Sequence, residues 1–277
     1  MEGLEKIALE IRKSTFRTVC INKAGHLASS LSSVEILVGL YFGNVLRYNA
    51  KVPEWEDRDR FILSKGHAAL AFYHVLAKAG YFDRRRVEGF CKEGSEFGGL
   101  ATYGKIPGVE MTSGSLGHGL SFAAGIAMAA RISKNASYQI YTMMGDGELQ
   151  EGEVWEAALF ISHNNLTNLT IIVDNNKIQA TGYSKDIINL GNLNEKWRAF
   201  GFHVIEVDGH NIDQICEGLR VKADKPKVII ADTVKGKGLS YVENRGDWHY
   251  KIPTKQEIEI GLRELGMLEE DLRVNEK

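Results

Sequence analysis

The sequence predicts an α/β fold, a doubly wound and mostly parallel sheet of about five strands with helices on both faces. Strand-like apolar runs alternate with helical segments along most of the chain, and this alternation is typical of parallel sheets. In the clearest case, one run ends in Gly145-Asp-Gly147, a helix is predicted over 153–164, and a second run ends in Asn175-Asn176. Because strand–helix–strand units join parallel strands in a right-handed sense, both runs are expected to end at the same edge of the sheet.

The composition limits the number of domains and the classes of function. The chain has 277 residues, 44% hydrophobic and 25% charged, which is ordinary for a globular protein and predicts one domain over residues 1–277. A net charge of −2 gives no electrostatic reason to expect nucleic acid or a membrane surface as a partner. There is no apolar run of transmembrane length and no signal-peptide pattern, and three scattered cysteines exclude a disulfide framework. We therefore expect a cytoplasmic enzyme.

Apolar periodicity predicts the elements in chain order. Helices are expected over 3–22, 33–43, 68–79, 84–92, 120–134, 153–164, 192–200 and 212–222, and strands over 60–64, 138–144, 169–174, 203–207 and 228–233. Ser32 with Glu35 forms a capping-box pattern before the second helix, and Thr254 with Glu257 opens a last helix. The glycine-rich stretch 94–119 contains no predicted element, and loops of that length are usually functional.

The strongest chemical signal is the pair Asp146 and Asn176, because each residue follows a strand of the same unit. Ligands of open α/β sheets collect at the carboxyl ends of the strands. A carboxylate and an amide suit Mg²⁺, which prefers oxygen ligands and keeps phosphate oxygens in its shell. Gly145 and Gly147 allow a sharp turn and a close approach of the ligand. The pair could instead cap the starts of loops, but we favour a site for Mg²⁺ and a diphosphate.

Three histidines lie in loops beside predicted elements. His67 ends the segment Ser64-Lys-Gly-His67, between a strand and a helix N-terminus, where unpaired N–H groups and the helix dipole attract phosphate. His26 follows an Ala-Gly pair, and His249 follows Asp247-Trp. On spacing alone, a role in packing or at the surface is the commoner one for each of them.

Two further segments could contact a phosphate. Gly114-Ser-Leu-Gly-His-Gly119 superficially fits a phosphate loop, but it lacks the Walker lysine-hydroxyl pair and the Rossmann spacing of three glycines. It could equally serve close helix packing. Lys235 and Lys237 follow the last predicted strand, where they could neutralise a diphosphate or simply be solvated.

A series of motifs, taken together and in this order, resembles the transketolase family. The motifs are Asp59-Arg-Phe-Ile-Leu-Ser-Lys-Gly-His67, Pro107-Gly-Val-Glu110, Ser113-Gly-Ser-Leu-Gly-His-Gly119, Gly145-Asp-Gly-Glu-Leu-Gln-Glu-Gly152, Val173-Asp-Asn-Asn-Lys-Ile178, and Lys235-Gly-Lys-Gly238 through Trp248-His249. They cover nearly the whole chain but only the diphosphate-binding half of a transketolase. The chain therefore resembles the N-terminal subunit of a split, two-chain transketolase, and the implied cofactors are thiamine diphosphate and Mg²⁺.

The resemblance implies a role for each matching position. The implied metal ligands are the side chains of Asp146 and Asn176 and the backbone carbonyl of Ile178. The implied cofactor contacts are His67, Gly114, Ser115, Leu116, Gly145, Asp146, Gly147, Glu148, Asn176, Ile178 and His249. The implied catalytic groups are His26, which would face the reacting carbon and the substrate hydroxyls, with His67, His249 and Glu151. Glu151 would meet the partner subunit near the pyrimidine of the cofactor.

The resemblance also implies a reaction and a partner. The expected reaction moves a two-carbon ketol unit from a ketose or ketose phosphate donor to an aldehyde or ketone acceptor sugar. In the family, the glutamate that activates the cofactor pyrimidine lies on the half that this chain lacks. We therefore expect activity only with a C-terminal subunit that carries the pyrimidine domain, in an α₂β₂ heterotetramer.

One departure from the family pattern leaves the donor open. Where the family usually has Gly-His-Pro before Pro-Gly-Val-Glu, this chain has Gly99-Leu100-Ala101. A neighbour could compensate for the missing histidine, or the loop could align differently. Alternatively, Leu100 could favour the methyl group of a 2-oxoacid donor such as pyruvate. The remaining alternatives are the α subunit of a 2-oxoacid dehydrogenase decarboxylase component and, least favoured, a non-catalytic interaction module.

Overall fold

The fold is a five-stranded parallel sheet, in a computed structural model that describes residues 2–133 and 137–273. The strands are β1 (Arg60–Leu63), β2 (Ile140–Gly145), β3 (Leu169–Asn175), β4 (His203–Asp208) and β5 (Lys227–Asp232). Their order across the sheet is β1-β2-β3-β5-β4, and every neighbouring pair is parallel. The expected pairing of the two central runs is confirmed, since β2 and β3 are neighbours with Gly145 opposite Asp174.

Ten α-helices are found in the described part of the chain. They are α1 (Glu2–Asn22), α2 (Leu27–Leu31), α3 (Val34–Phe42), α4 (Ala69–Ala79), α5 (His118–Ile132), α6 (Gly152–His163), α7 (Ser184–Ile187), α8 (Leu193–Ala199), α9 (Ile212–Arg220) and α10 (Lys255–Glu264). The predicted helix over 120–134 begins two residues earlier, at His118, and its last residue, 134, lies outside the described residues.

Helices cover both faces of the sheet, which confirms the doubly wound fold. Side chains alternate along each strand, so Ile172 enters the core on one face while Ile171 and Val173 enter the core on the other. The first core is formed with α1 to α4 and α9, and the second with α5, α6 and α8. Each aliphatic side chain buried in this way contributes about 1.5–3 kcal/mol to folding.

Local predictions fail where a side chain has a stronger partner elsewhere in the fold. The capping box predicted at Ser32 is wrong: α3 begins at Val34, and the Ser32 hydroxyl donates to Asp174 Oδ2 at 2.7 Å. Glu35, its predicted partner, instead accepts from the buried guanidinium of Arg12.

At the chain's C-terminal side the capping box of α10 is confirmed, because Thr254 Oγ1 accepts from the N–H of Glu257 at 3.3 Å. The segment predicted as a helix over 84–92 is a 3₁₀ turn over Arg84–Gly89, and the short helices α2 and α7 were not predicted.

Over residues 2–133 and 137–273, no helix has both the length and the apolar character needed to cross a membrane.

Candidate active site

Three candidate metal ligands meet where β2 and β3 end. Asp146 and Asn176 follow the two strands directly, and both are buried. The Asn176 side-chain oxygen accepts from the N–H of Ile178 at 3.1 Å, which curls the chain so that Ile178 stays beside the strand ends. All three residues line one cavity of about 480 Å³. The structure thus places in one cavity the three residues that the resemblance implied as metal ligands.

The electrostatics of Asp146 favour a bound cation. Burial raises the pKa of the Asp146 carboxyl, and a hydrogen bond from the Ser184 hydroxyl only partly offsets this rise. A divalent cation would favour the charged form. The described residues contain no group of three or more His, Cys, Asp or Glu side chains that could hold a metal ion. A site of one carboxylate, one amide and one carbonyl would take its other ligands from phosphate oxygens and water, as Mg²⁺ sites do.

His26, His67 and His249 form a cluster at the same edge of the sheet. His26 precedes α2, His67 lies in a 3₁₀ turn after β1, and His249 follows a second 3₁₀ turn at Gly246–Trp248. The ring centroids are 5.9 Å apart for His26 and His67, 5.5 Å for His67 and His249, and 5.2 Å for His26 and His249. Three loops that are distant in sequence therefore converge at this edge.

The histidine cluster is held in its neutral form. Burial lowers the pKa of all three imidazoles, that of His67 to well below its usual range and that of His249 to about 4. The ammonium groups of Lys65 and Lys235 lower the three pKa values further. The Nδ1 atoms of His26 and His249 are buried and have no hydrogen-bond partner among the described residues. Such groups are uncommon in proteins unless a ligand or water satisfies them, so they fit a polar ligand.

Behind the histidines lies a buried ion pair between Lys65 and Asp174, whose side chains are fully inaccessible to solvent. Asp174 also accepts from the hydroxyls of Ser32, Ser33 and Thr233. Burial raises the pKa of Asp174, but Lys65 and the hydroxyl donors outweigh burial and hold it below its ordinary value. We call these five residues the Asp174 network.

The Asp174 network joins the segments that carry the site. Lys65 is two residues before His67, Asp174 is two before Asn176, and Thr233 is two before Lys235. Its hydrogen bonds therefore fix the three chain segments relative to one another. This network was not predicted, and the only signal for it in the sequence was that Lys65 and Asp174 stand inside two of the motifs.

Lys235 is almost fully buried and lies against the metal-ligand segment. Its ammonium donates to the carbonyls of Ile178 and Gln179 at 3.2 and 3.0 Å. Burial, with some help from Lys65, lowers the pKa of Lys235 to about 8. Lys237 is half-buried, and its carbonyl accepts from Arg12. Lys235 is thus the lysine whose ammonium contacts the candidate metal-ligand segment.

Glu148 organises the loops at this edge. Its carboxylate accepts from the N–H groups of Gly117 and Gly145 at 2.9 and 3.1 Å, and from the Ser64 hydroxyl. It therefore ties the turn after β2 to the start of α5, and donors from this chain engage both of its oxygens. Glu151 is exposed at the start of α6, beside Gly117.

Gly114, Ser115 and Leu116, which the resemblance implied as cofactor contacts, form the approach to α5, where Gly114 and Ser115 are exposed and Leu116 is half-buried. Leu100 packs against this loop. A Cβ built on Gly114 would lie 3.4 Å from one Leu100 methyl group, and a Cβ built on Gly66 would lie 3.0 Å from the other. Leu100 thus stands between this loop and the turn that carries His67, with 40% of its surface exposed.

The fold and the site together define a cofactor-binding α/β domain whose strand ends combine a cation site with a neutral histidine cluster. Residues 5–277 match the family model described as transketolase, thiamine diphosphate binding domain. An apulose-4-phosphate transketolase subunit of Actinobacillus succinogenes is 42% identical over 270 residues, which cover 95% of this chain and 96% of that protein. A 6-deoxy-6-sulfo-D-fructose transketolase subunit of Clostridium sp. strain MSTE9 is 38% identical and is covered to 96%.

The chain belongs to the transketolase family, as its thiamine diphosphate-binding domain, and the resemblance stated from the motifs is confirmed. The structure of transketolase from Campylobacter jejuni superposes with a TM-score of 0.90 at 30% identity. That comparison covers 96% of this chain but only 43% of the Campylobacter chain. The cofactor of this domain is thiamine diphosphate, used with a divalent cation such as Mg²⁺.

Proposed function

We propose that this chain is the cofactor-binding subunit of a two-subunit transketolase that moves a two-carbon ketol unit between sugar phosphates. The main support for this proposal is that the candidate cation ligands and the histidine cluster lie at one edge of the sheet. Bound thiamine diphosphate supplies the electron sink for breaking the carbon–carbon bond of the donor, and the protein supplies position and charge. Relatives named as apulose-4-phosphate and 6-deoxy-6-sulfo-D-fructose transketolase subunits support a phosphorylated or similarly anionic sugar as substrate.

In this proposal one end of the site holds the diphosphate. Asp146, Asn176 and the Ile178 carbonyl would hold the cation, which would supply positive charge to the diphosphate. The Lys235 ammonium neutralises a phosphate charge once it leaves the two carbonyls to which it donates. Gly147 lets the Gln179 side chain pack on this turn, because a Cβ there would come within 2.7 Å of that side chain.

The histidine cluster orients the donor in this proposal. Neutral imidazoles can each donate one hydrogen bond and accept another, so they can bind hydroxyl groups without adding charge. The unpartnered Nδ1 atoms of His26 and His249 give two such contacts. His67 stands in the turn that follows Lys65, with its ring centroid 5.9 Å from that of His26 and 5.5 Å from that of His249, and it would contact the diphosphate. Gly114, Ser115 and Leu116 would run beside the pyrimidine ring.

Leu100 favours a second candidate, in which the donor is a 2-oxoacid such as pyruvate. The side chain lies between two segments of the site, and a methyl group of the donor would pack on it better than a hydroxymethyl group. One assay distinguishes the two candidates: the chain assembled with its C-terminal subunit is given xylulose 5-phosphate or pyruvate as donor. Turnover with the ketose phosphate and none with pyruvate would exclude the second candidate.

An apolar surface supports the partner subunit in this proposal. Helices α5 and α6 pack side by side and leave four large side chains substantially exposed: Phe122, Ile132, Leu159 and Phe160. Glu151 stands at the start of α6, so the surface begins where the cofactor pyrimidine would emerge. Because this chain spans 43% of a full-length transketolase, the occupant we propose is the C-terminal subunit, with its activating glutamate, in an α₂β₂ assembly.

The partner proposal is tested by substituting Leu159→Asp, which places a charge on the apolar surface. We expect the variant to fold but to lose co-purification with the C-terminal subunit, since burying an unpaired charge is costly. Val221→Asp is the matched control, because Val221 is also exposed but follows α9 on the opposite face of the sheet. An α₂β₂ mass that persists with Leu159→Asp would reject this surface.

Residues 1–277 form one domain in this proposal, since both cores pack on the same sheet.

The cofactor proposal is tested by calorimetric titration of the pair with thiamine diphosphate and Mg²⁺. Saturable binding with a metal requirement is expected. An absence of binding, even with the partner present, would favour a non-catalytic module.

A further inference from the structure

We propose that Ser184 is a positioning residue for the cation site, where its hydroxyl holds one oxygen of Asp146 and leaves the other for the metal. The inference rests on the proposed function, because it takes Asp146 as a cation ligand. Ser184 lies outside every motif that carries the family resemblance, and its position becomes apparent only from the fold of the loop after β3.

Ser184 reaches the site because the chain doubles back directly after Ile178. Ile178 and Tyr183 form an antiparallel bridge, and the N–H of Ser184 donates to the carbonyl of Lys177 at 2.9 Å. The hairpin 177–184 therefore carries a candidate ligand, the Ile178 carbonyl, in its first arm and the Ser184 hydroxyl at the end of its second arm. Docking this hydroxyl on the carboxylate fixes two cation ligands relative to each other.

The chemistry of the donor matters as much as its position. Lys65 and Lys235 lie near enough to attract Asp146 electrostatically, but Lys65 is paired with Asp174 and Lys235 donates to backbone carbonyls. A hydroxyl orients the carboxylate without neutralising it, whereas an ammonium would compete with the incoming cation. Ser184 is the one side chain that hydrogen-bonds Asp146 in the described part of the chain.

The size of the expected effect follows from other metal sites. Removing a group that hydrogen-bonds a metal ligand typically weakens metal binding by about 10–100-fold. The fold should tolerate the change, because Ser184 is half-buried and opens a helix of only one turn. A weakened cation site with an intact fold is therefore the signature of a positioning residue.

The test uses the complex of the full chain with its C-terminal subunit, saturated with thiamine diphosphate and titrated with Mn²⁺ while free Mn²⁺ is measured by electron paramagnetic resonance. We expect Ser184→Ala to bind Mn²⁺ about 10–100-fold more weakly, and Ser184→Thr to stay near wild type because it keeps the hydroxyl. Excess Mn²⁺ should restore turnover in Ser184→Ala. Ser240→Ala is the matched control, since that exposed hydroxyl donates to Glu264 on another surface.

Unchanged Mn²⁺ affinity in Ser184→Ala would overturn the inference, and so would an equal loss in the alanine and threonine variants. Ser184→Cys, a variant of similar size with only a weak donor, should resemble the alanine variant, and wild-type affinity in it would also count against the inference. If the wild-type complex binds no Mn²⁺ with thiamine diphosphate, the proposed function itself fails. Binding by wild type with no effect at Ser184 rejects only the positioning role.

Discussion

Two buried carboxylates at the ends of neighbouring strands, Asp174 and Asp146, have opposite surroundings. Asp174 is paired with Lys65 and accepts from three hydroxyl groups, which together hold its pKa below the ordinary value against the effect of burial. Asp146 has one hydroxyl donor, from Ser184, and burial raises its pKa. The chain thus supplies a cationic partner to Asp174 and none to Asp146, which fits the proposed role of Asp146 as a cation ligand.

This contrast separates structure from function at one sheet edge. A buried charge with its partners supplied stabilises a fixed arrangement, and removing one partner leaves an uncompensated charge. A buried charge without a cationic partner lowers stability, and proteins retain such groups mainly at functional sites. The Asp174 network accordingly fixes the structure of the site, whereas the role that we propose for Asp146 is functional.

The largest effect on stability is expected in the Asp174 network. Lys65→Met leaves the Asp174 carboxylate buried without its cation, which should lower the free energy of unfolding by about 3–5 kcal/mol. Urea titration of the chain measures the loss. Lys78→Met is the control, because the pair of Lys78 with Glu10 is partly exposed and such pairs contribute about 0–1 kcal/mol. A Lys65→Met variant as stable as the control would remove the contrast.

A smaller effect of different kind is expected at Asp146. Asp146→Asn should weaken Mn²⁺ binding in the presence of thiamine diphosphate by more than about 100-fold, because it removes the proposed direct ligand rather than a supporting group. The metal-free chain should keep its stability or gain about 1 kcal/mol, since a buried charge is removed. The measurements are a Mn²⁺ titration and urea unfolding. Loss of stability equal to that of Lys65→Met would mean that both carboxylates are structural.

The sequence located Asp146 but not its counterpart, for a physical reason. Asp146 and Asn176 follow two strands of one local unit, so their meeting follows from the connection alone. The partner of Asp174 lies 109 residues earlier, at the end of β1, and their contact depends on how strands that are not consecutive in the chain are placed in the sheet. Long-range partners of this kind leave no periodic pattern in the sequence.

The same limit explains the other differences. The strands and long helices were predicted within a few residues because each buries an apolar face with a regular period. The short helices α2 and α7 are too brief to carry such a period. The Ser32 pattern was misassigned because its hydroxyl bonds the distant Asp174 instead of the helix end. Ser184 escaped notice for the same reason, since only the hairpin brings it to Asp146.

The smallest effect concerns pH and the histidine cluster. The folded chain holds His26, His67 and His249 at lowered pKa values, so the unfolded chain binds their protons more readily. The free energy of unfolding of the metal-free chain should therefore fall as the pH drops below about 6.5. The part of this fall that is due to His249 is complete near the folded pKa of His249, about 4. The slope per histidine is at most about 1.4 kcal/mol per pH unit.

His249→Asn should make this slope shallower by up to that amount, because the variant has no imidazole to protonate at this position. Urea unfolding between pH 7.5 and pH 5.5 (about the range in which an ordinary histidine titrates) measures the difference. His163→Asn is the matched control, since His163 is exposed at the end of α6. If His249→Asn and His163→Asn both keep the slope of the wild type, the cluster is open to solvent. The edge around Asp146 then differs in no such way from the protein surface and shows no need of a ligand.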